Sequence, residues 1–244
     1  MLLKHVSAYK PLTIRDLVRE IDENPGIMDV KGMKDFDPKS WEIIFQPIYD
    51  RVQYPAAGTT AISFFAKQLG ASDTLNTSGT SGTRQKNLRD TNLQQPNQLS
   101  DQAFLCMGWQ IGYLPLSTGI AATSMLNYQD DMAKIAGGSS LTVKFINKEY
   151  GNDFLMNVPS PFSQKGSMAV AMYGQTAATE HVIGGPGGYG EGKLTSSRPM
   201  DPPYLIGMGV GFYANVTCDG TALSSSNPMD LFFQFLGYRI RPKQ

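Results

Sequence analysis

Large apolar residues alternate most cleanly with small or polar ones between Ala103 and Tyr113. Leu105, Met107, Trp109, Ile111 and Tyr113 fall on one side, and Cys106, Gly108, Gln110 and Gly112 on the other. A period of two with the bulk on one side predicts a strand that covers a core with one face. The polar stretch from Asp90 to Ser100, with Pro96, reads as the connection that delivers the chain to it. The same period returns from Tyr204 to Val216, where Tyr204, Ile206, Met208, Val210, Phe212, Ala214 and Val216 share a face and Gly207, Gly209 and Gly211 the other. Three glycines in a row on one face predict close approach by another backbone or a bulky ring. Trp109 and Phe212 are the residues expected to anchor the core. Ser140–Ile146 sets Leu141, Val143 and Phe145 against Thr142 and Lys144, and Leu231–Ile240 predicts a closing strand.

Shorter runs complete the pattern. Trp41–Tyr49 is a strand interrupted by Pro47, which belongs at an edge or a bend. Thr59–Ala66 places Ile62 and Phe64 on one side and Phe65 on the other, while Asp153–Val158 and Met168–Tyr173 predict two more strands. Leu69–Ser100 is polar and rich in Gly, Ser and Thr near Asn76–Thr83, so it reads as an exposed, mobile excursion; Gly184–Pro203 reads as a Gly/Pro loop. Thr118–Ala136 predicts a short helix through Ala121, Ala122, Met125, Met132 and Ile135. Residues 1–40 stand apart. Thr13 and Asp16 resemble a helix cap, Ile14, Leu17, Val18 and Ile21 follow at helical spacing, and Asn24-Pro25-Gly26 ends the segment. The expectation is an arm with a short amphipathic helix over 1–40 and an all-β domain over 41–244. Eight or so strands without βαβ alternation predict an antiparallel sandwich or barrel, and the count fits a jelly roll.

Composition narrows the function. Twenty-one basic and 21 acidic residues cancel, which argues against neutralising phosphate along the chain and leaves little charge to oppose self-association. The two cysteines, Cys106 and Cys218, fit neither a disulfide scaffold nor a zinc site, and His5 and His181 lack metal-ligand spacing. The close carboxylate pairs, Asp35 with Asp37 and Asp130 with Asp131, lie outside any loop dense enough in oxygen ligands for calcium. Gly187–Lys193 matches a phosphate-loop spacing, but Leu194 stands where a hydroxyl must bind magnesium and no helix follows, so no nucleotide is expected there. No histidine-based nucleophile arrangement and no G-x-S-x-G elbow occurs. Asn76 and Asn215 fit the glycosylation pattern, but without a leader segment they read as coincidence. No catalytic, cofactor-binding or metal-binding residue is therefore named. With no apolar run of spanning length, the expected site of synthesis is the cytoplasm.

Several segments together resemble the jelly-roll major capsid proteins of small tailless icosahedral viruses, bacteriophages in particular. They are Tyr49-Asp50 leading into Thr59–Phe65, then Asp90-Thr-Asn-Leu93 with Phe104-Leu105, and the closing Phe235–Pro242. The resemblance implies a structural subunit, not an enzyme, with loops that touch neighbouring copies in a virion; the chain is short for two jelly rolls with these loops and an arm, so one is expected. The charge of the basic arm and of the basic end Arg239–Lys243 suits contact with an anionic genome, an internal lipid or a neighbouring subunit. A lectin-like or receptor-binding jelly-roll module is the alternative, and it calls for loop aromatics, of which Tyr189 is one of few.

Overall fold

The computed structural model describes residues 41–77, 80–114, 131–146, 148–155, 158, 169–173, 181–185, 198–218, 220–225 and 228–243. In order these form β1 (Trp41–Phe45), β2 (Ile48–Tyr54), β3 (Ala61–Phe64), β4 (Ser72–Thr77), β5 (Thr80–Gln85) and β6 (Ala103–Leu114). A short helix, α1, covers 131–137. Then come β7 (Ser139–Phe145), β8 (Lys148–Phe154), β9 (Ala169–Tyr173), β10 (His181–Gly185), β11 (Arg198–Ile206), β12 (Phe212–Cys218) and β13 (Met229–Pro242). Residues 1–40, with the expected N-terminal helix, and Gly187–Lys193 lie outside the described residues.

Two antiparallel sheets carry the architecture. The larger is ordered β1–β13–β6–β11, with β2 also on β13, and the smaller β3–β12–β7–β8. β4–β5 and β9–β10 are separate ribbons. Pro47 acts as expected: β1 and β2 lie end to end along β13 and the chain breaks between them. With β1 and β2 taken as one broken strand, the two sheets hold eight. The first pairs with the eighth, the second with the seventh, the third with the sixth and the fourth with the fifth. Pairing of β13 with β6 and of β12 with β7 then joins these nested hairpins side by side.

The core fills the space between the sheets. Phe233, Phe235 and Tyr204 from the larger meet Phe64, Phe145 and Phe212 from the smaller, with Phe145 stacked on Tyr204 at 5.0 Å and Phe64 against Phe233 at 5.3 Å. Trp109 and Phe212 are buried as expected, at 3% and 0% exposure. Phe65 departs from its predicted side. It leaves β3 at φ +66°, and its ring turns into the same core to stack on Phe235 at 5.3 Å.

The strand expected across Tyr204–Val216 is two strands in different sheets. Residues 207–211 carry the chain across the sandwich, turning at Gly209 with φ +65°. The alternation persists because both strands bury the same kind of face. The expected close approach falls elsewhere: a Cβ on Gly151 of β8 would lie 2.7 Å from the Trp109 ring, whereas nothing lies within 4 Å at Gly209.

β6 is buried on both faces, and its alternation is interrupted. β13 pairs Leu236 with Gly108 and Gly237 with Cys106, so Met107 is an extra residue. Trp109, Ile111 and Tyr113 face the core on one side of this bulge, and Phe104 and Cys106 on the other. Leu105 and Met107 are buried but stand outside the core cluster. The irregularity crosses the whole sheet, from Pro199/Tyr204 of β11 through Met107 and Gly237 to the break at Pro47, and creases it.

Other expectations shift locally. Of the strand expected over Asp153–Val158, Asp153 and Phe154 are strand, as the end of β8; Leu155 and Val158 are buried beyond it, and residues 156–157 lie outside the described residues. Part of the expected Gly184–Pro203 loop is strand, in β10 and β11. Of the helix expected over 118–136, residues 118–130 lie outside the described residues and α1 covers the rest, with Ile135 buried. The polar Leu69–Ser100 region is no exposed excursion along its length: it forms the β4–β5 hairpin and buries Leu75, Lys86, Asp90, Thr91, Leu93 and Leu99.

Candidate functional site

The residues weighed for chemistry in the sequence are dispersed. Cys106 is buried in β6, where burial pushes its thiol up to about 12. Cys218 lies across the sandwich, 3.2 Å from the Ser139 hydroxyl. Asp131 lies in α1, His181 opens β10, and Asn215 is paired within β12. Among the described residues no three His, Cys, Asp or Glu side chains gather as a metal site.

What sequence reasoning missed is a cluster of charge packed against β2. Residues 91–92 run along the edge of that strand opposite β13. Thr91 bridges Asp50 and its hydroxyl donates to the Tyr49 carbonyl, while Asn92 accepts from the Tyr49 amide and donates to the Pro47 carbonyl. An exposed edge is thereby paired with local chain. Around this seam the ions arrange themselves in three groups.

In the first, Lys86 Nζ donates to Asp50 Oδ1 at 2.7 Å and to the Arg51 carbonyl at 2.8 Å, and lies 3.3 Å from Asp73 Oδ2. Its side chain and that of Asp50 are 1% and 0% exposed. In the second, Arg84 grips Asp90 with both guanidinium nitrogens, at 2.5 and 2.7 Å, and the Asn87 amide adds a third bond. In the third, Arg51 binds Asp230 of β13 and approaches Asp90 at 3.5 Å. Lys67 holds the other oxygen of Asp73 at 2.6 Å, joined there by the Thr74 amide at 2.9 Å.

Environment sets the two central carboxylates apart. Burial pushes Asp50 up to about 6, against the opposing charge of Lys86. Burial acts on Asp90 in the same sense, but the Arg84 and Asn87 hydrogen bonds outweigh it and hold that carboxyl below its ordinary value. The cluster fastens residues 66–102 to the sandwich and concentrates paired ions where water is scarce. Arg84–Asp90 and Lys67–Asp73 are each six positions apart, but the contacts that join the groups to the sheet are distant in sequence, 36 positions for Lys86 and Asp50 and 179 for Arg51 and Asp230. The only trace in the sequence is Arg84 and Lys86 emerging from an uncharged Ser/Thr/Gly run.

The basic end is not a free tail. Arg239 is buried within β13, bonded to Gln102 at 3.3 Å, and Arg241 pairs with Glu42 of β1 at 2.6 Å. Exposed apolar side chains are spread around the molecule: Phe45, Leu88, Ile146, Phe154 and Tyr213. Comparisons with protein-family models, with curated proteins and with solved structures find no match.

Proposed function

We propose that this chain is a single jelly-roll subunit of an icosahedral viral shell, assembling with copies of itself through capsomers to enclose a genome. The observation that carries the reading is strand order. Eight antiparallel strands paired first with eighth, second with seventh, third with sixth and fourth with fifth are one long hairpin, and rolling that hairpin into two facing sheets gives a jelly roll. The crossovers sort to the two ends. The Ser225 amide bonds the Ala56 carbonyl and Lys134 the Ser224 carbonyl at one; Gly209 bonds Leu99 and Ile146 bonds Gly211 at the other.

Shell subunits keep such a sandwich as a wall and place their contacts on the inserted segments. Here the connections 66–102, 115–138 and 155–197 are long enough for that role. Zero net charge suits close packing of copies. The mildly basic residues 1–19 are the segment suited to an anionic genome or internal lipid, since Arg239 and Arg241 are engaged within the sheet. Electron microscopy and sizing of the purified protein test the proposal: closed particles or symmetric capsomers are expected. A species that stays monomeric or stops at a trimer at high concentration favours a lectin-like or receptor-binding module instead.

A further inference from the structure

Lys86, Asp50 and Asp73 make an arrangement that an ordinary ion pair does not need. The amine and carboxyl are in contact at 2.7 Å with neither side chain reaching solvent. A second carboxylate oxygen stands 3.3 Å from the same nitrogen, and that carboxylate is oriented through its other oxygen by Lys67 and the Thr74 amide. The Phe65 amide donates to Asp50 Oδ2 at 2.7 Å from a residue held at φ +66°, a backbone conformation uncommon outside glycine.

We propose that Lys86 and Asp50 condense to an intramolecular amide, with Asp73 as the catalytic carboxylate. One ammonium proton passes to Asp50 Oδ1, leaving a neutral amine against a neutral acid. The nitrogen lone pair attacks Asp50 Cγ and the Nζ–Cγ bond forms. Charge developing on Oδ2 is met by the Phe65 amide, placed as an oxyanion donor is. Asp73 Oδ2 takes a second proton from the nitrogen and returns it to the leaving oxygen. The Cγ–Oδ1 bond breaks and water departs. An ammonium and a carboxylate thus become an amide and one water, with no oxidant, metal or cofactor required.

Two physical arguments favour the step. Burial raises Asp50 toward its neutral acid, the electrophilic form. The amide also removes two charges from the interior, where ions are costly even when paired. The bond would tie β2 to the residue that follows β5, closing a covalent loop through β3 and the β4–β5 hairpin.

The inference is independent of the capsid reading, and the mass of the full chain tests it. Purified folded protein, denatured and measured intact, is expected to be lighter than its sequence by one water. Tryptic digestion is expected to yield a branched peptide, uncut at Lys86 and joined to the Asp50 segment. Lys86→Arg is expected to restore the full mass, and Asp50→Asn to lose one ammonia in place of water. Asp73→Asn is expected to leave most of the chain uncross-linked, with circular dichroism confirming that it folds. Wild-type protein of full sequence mass after prolonged incubation in the folded state overturns the proposal, as does a link between other residues. Unchanged cross-linking in Asp73→Asn overturns the role given to that carboxylate.

Discussion

At Gly237 a single added methyl would land 1.9 Å from the Leu105 carbonyl oxygen and 2.9 Å from the Phe104 ring. The crease in the larger sheet therefore depends on the absence of a side chain there. Gly237→Ala is expected to destabilise at the upper end of the ~1–3 kcal/mol typical of overpacking, read from denaturant unfolding. Trp109, lodged against Gly151, is the converse case: Trp109→Ala leaves a cavity between the sheets and is expected to cost about 3–5 kcal/mol. Charge follows a different rule. In a chain where they remain free, Lys86→Met or Asp50→Asn alone strands a buried partner and is expected to cost about 3–5 kcal/mol, while the two together recover most of that loss. Free Asp50 also sets a pH dependence. Its folded-state value of about 6 lies above the ordinary 3.8, so the folded chain keeps a proton that the unfolded chain releases. The contribution of Asp50 to stability is accordingly greatest below about pH 4 and declines as pH rises to about 6. Asp90, held below its ordinary value, acts oppositely: its contribution is present above that value and is lost as pH falls through the folded-state one. Denaturant midpoints across this range, compared with those of the double variant, isolate the Asp50 slope.

Among elements, the crossover at 207–211 shows how a connection hides inside a strand pattern. Gly209→Val forces a β-branched residue into a left-handed conformation and is expected to cost roughly 1–2 kcal/mol, visible as a lower melting temperature. The sequence pattern from Tyr204 to Val216 is continuous because both β11 and β12 present aromatic and aliphatic residues to one core. Nothing in a period of two says which sheet a strand belongs to. β7 and β13 are legible from their alternation and apolar run, since each packs on that shared core. In β6 the element is legible and its faces are not. An extra residue at Met107 leaves the sequence alternating while the fold exchanges sides, so Leu105 and Met107 were expected on the face that Phe104 and Cys106 occupy. The hairpin β4–β5 and the ion cluster beneath it escape notice for another reason. A stretch of Ser, Thr and Gly offers no apolar period, and ions that neutralise each other across the fold look like solvated surface when taken singly.

For the whole molecule, the described core draws on residues from Ile48 to Phe235. On the shell reading proposed above, a chain lacking residues 1–23 is expected to remain soluble and rich in β structure, but to assemble poorly or to the wrong size. Circular dichroism, thermal melting and electron microscopy of its assemblies check this together; a collapsed melting transition would place the arm in the fold. Assembly that depends on the basic arm should also weaken with salt, because exposed charges are screened over ~8–10 Å at physiological ionic strength. The nested pairing bears, finally, on the order in which the fold can form. Only two residues separate β7 from β8 along the chain, whereas Glu42 and Arg241, in the outermost pair, are 199 positions apart. Contacts so distant close slowly, after the local ones are in place. β13, the last in order of the described strands, lies in the interior of its sheet, between β6 and the β1–β2 ribbon. Until it is in place both neighbours keep an open edge, the kind that invites pairing with another chain. Closure of the larger sheet thus waits on β13, whichever strands have formed before it.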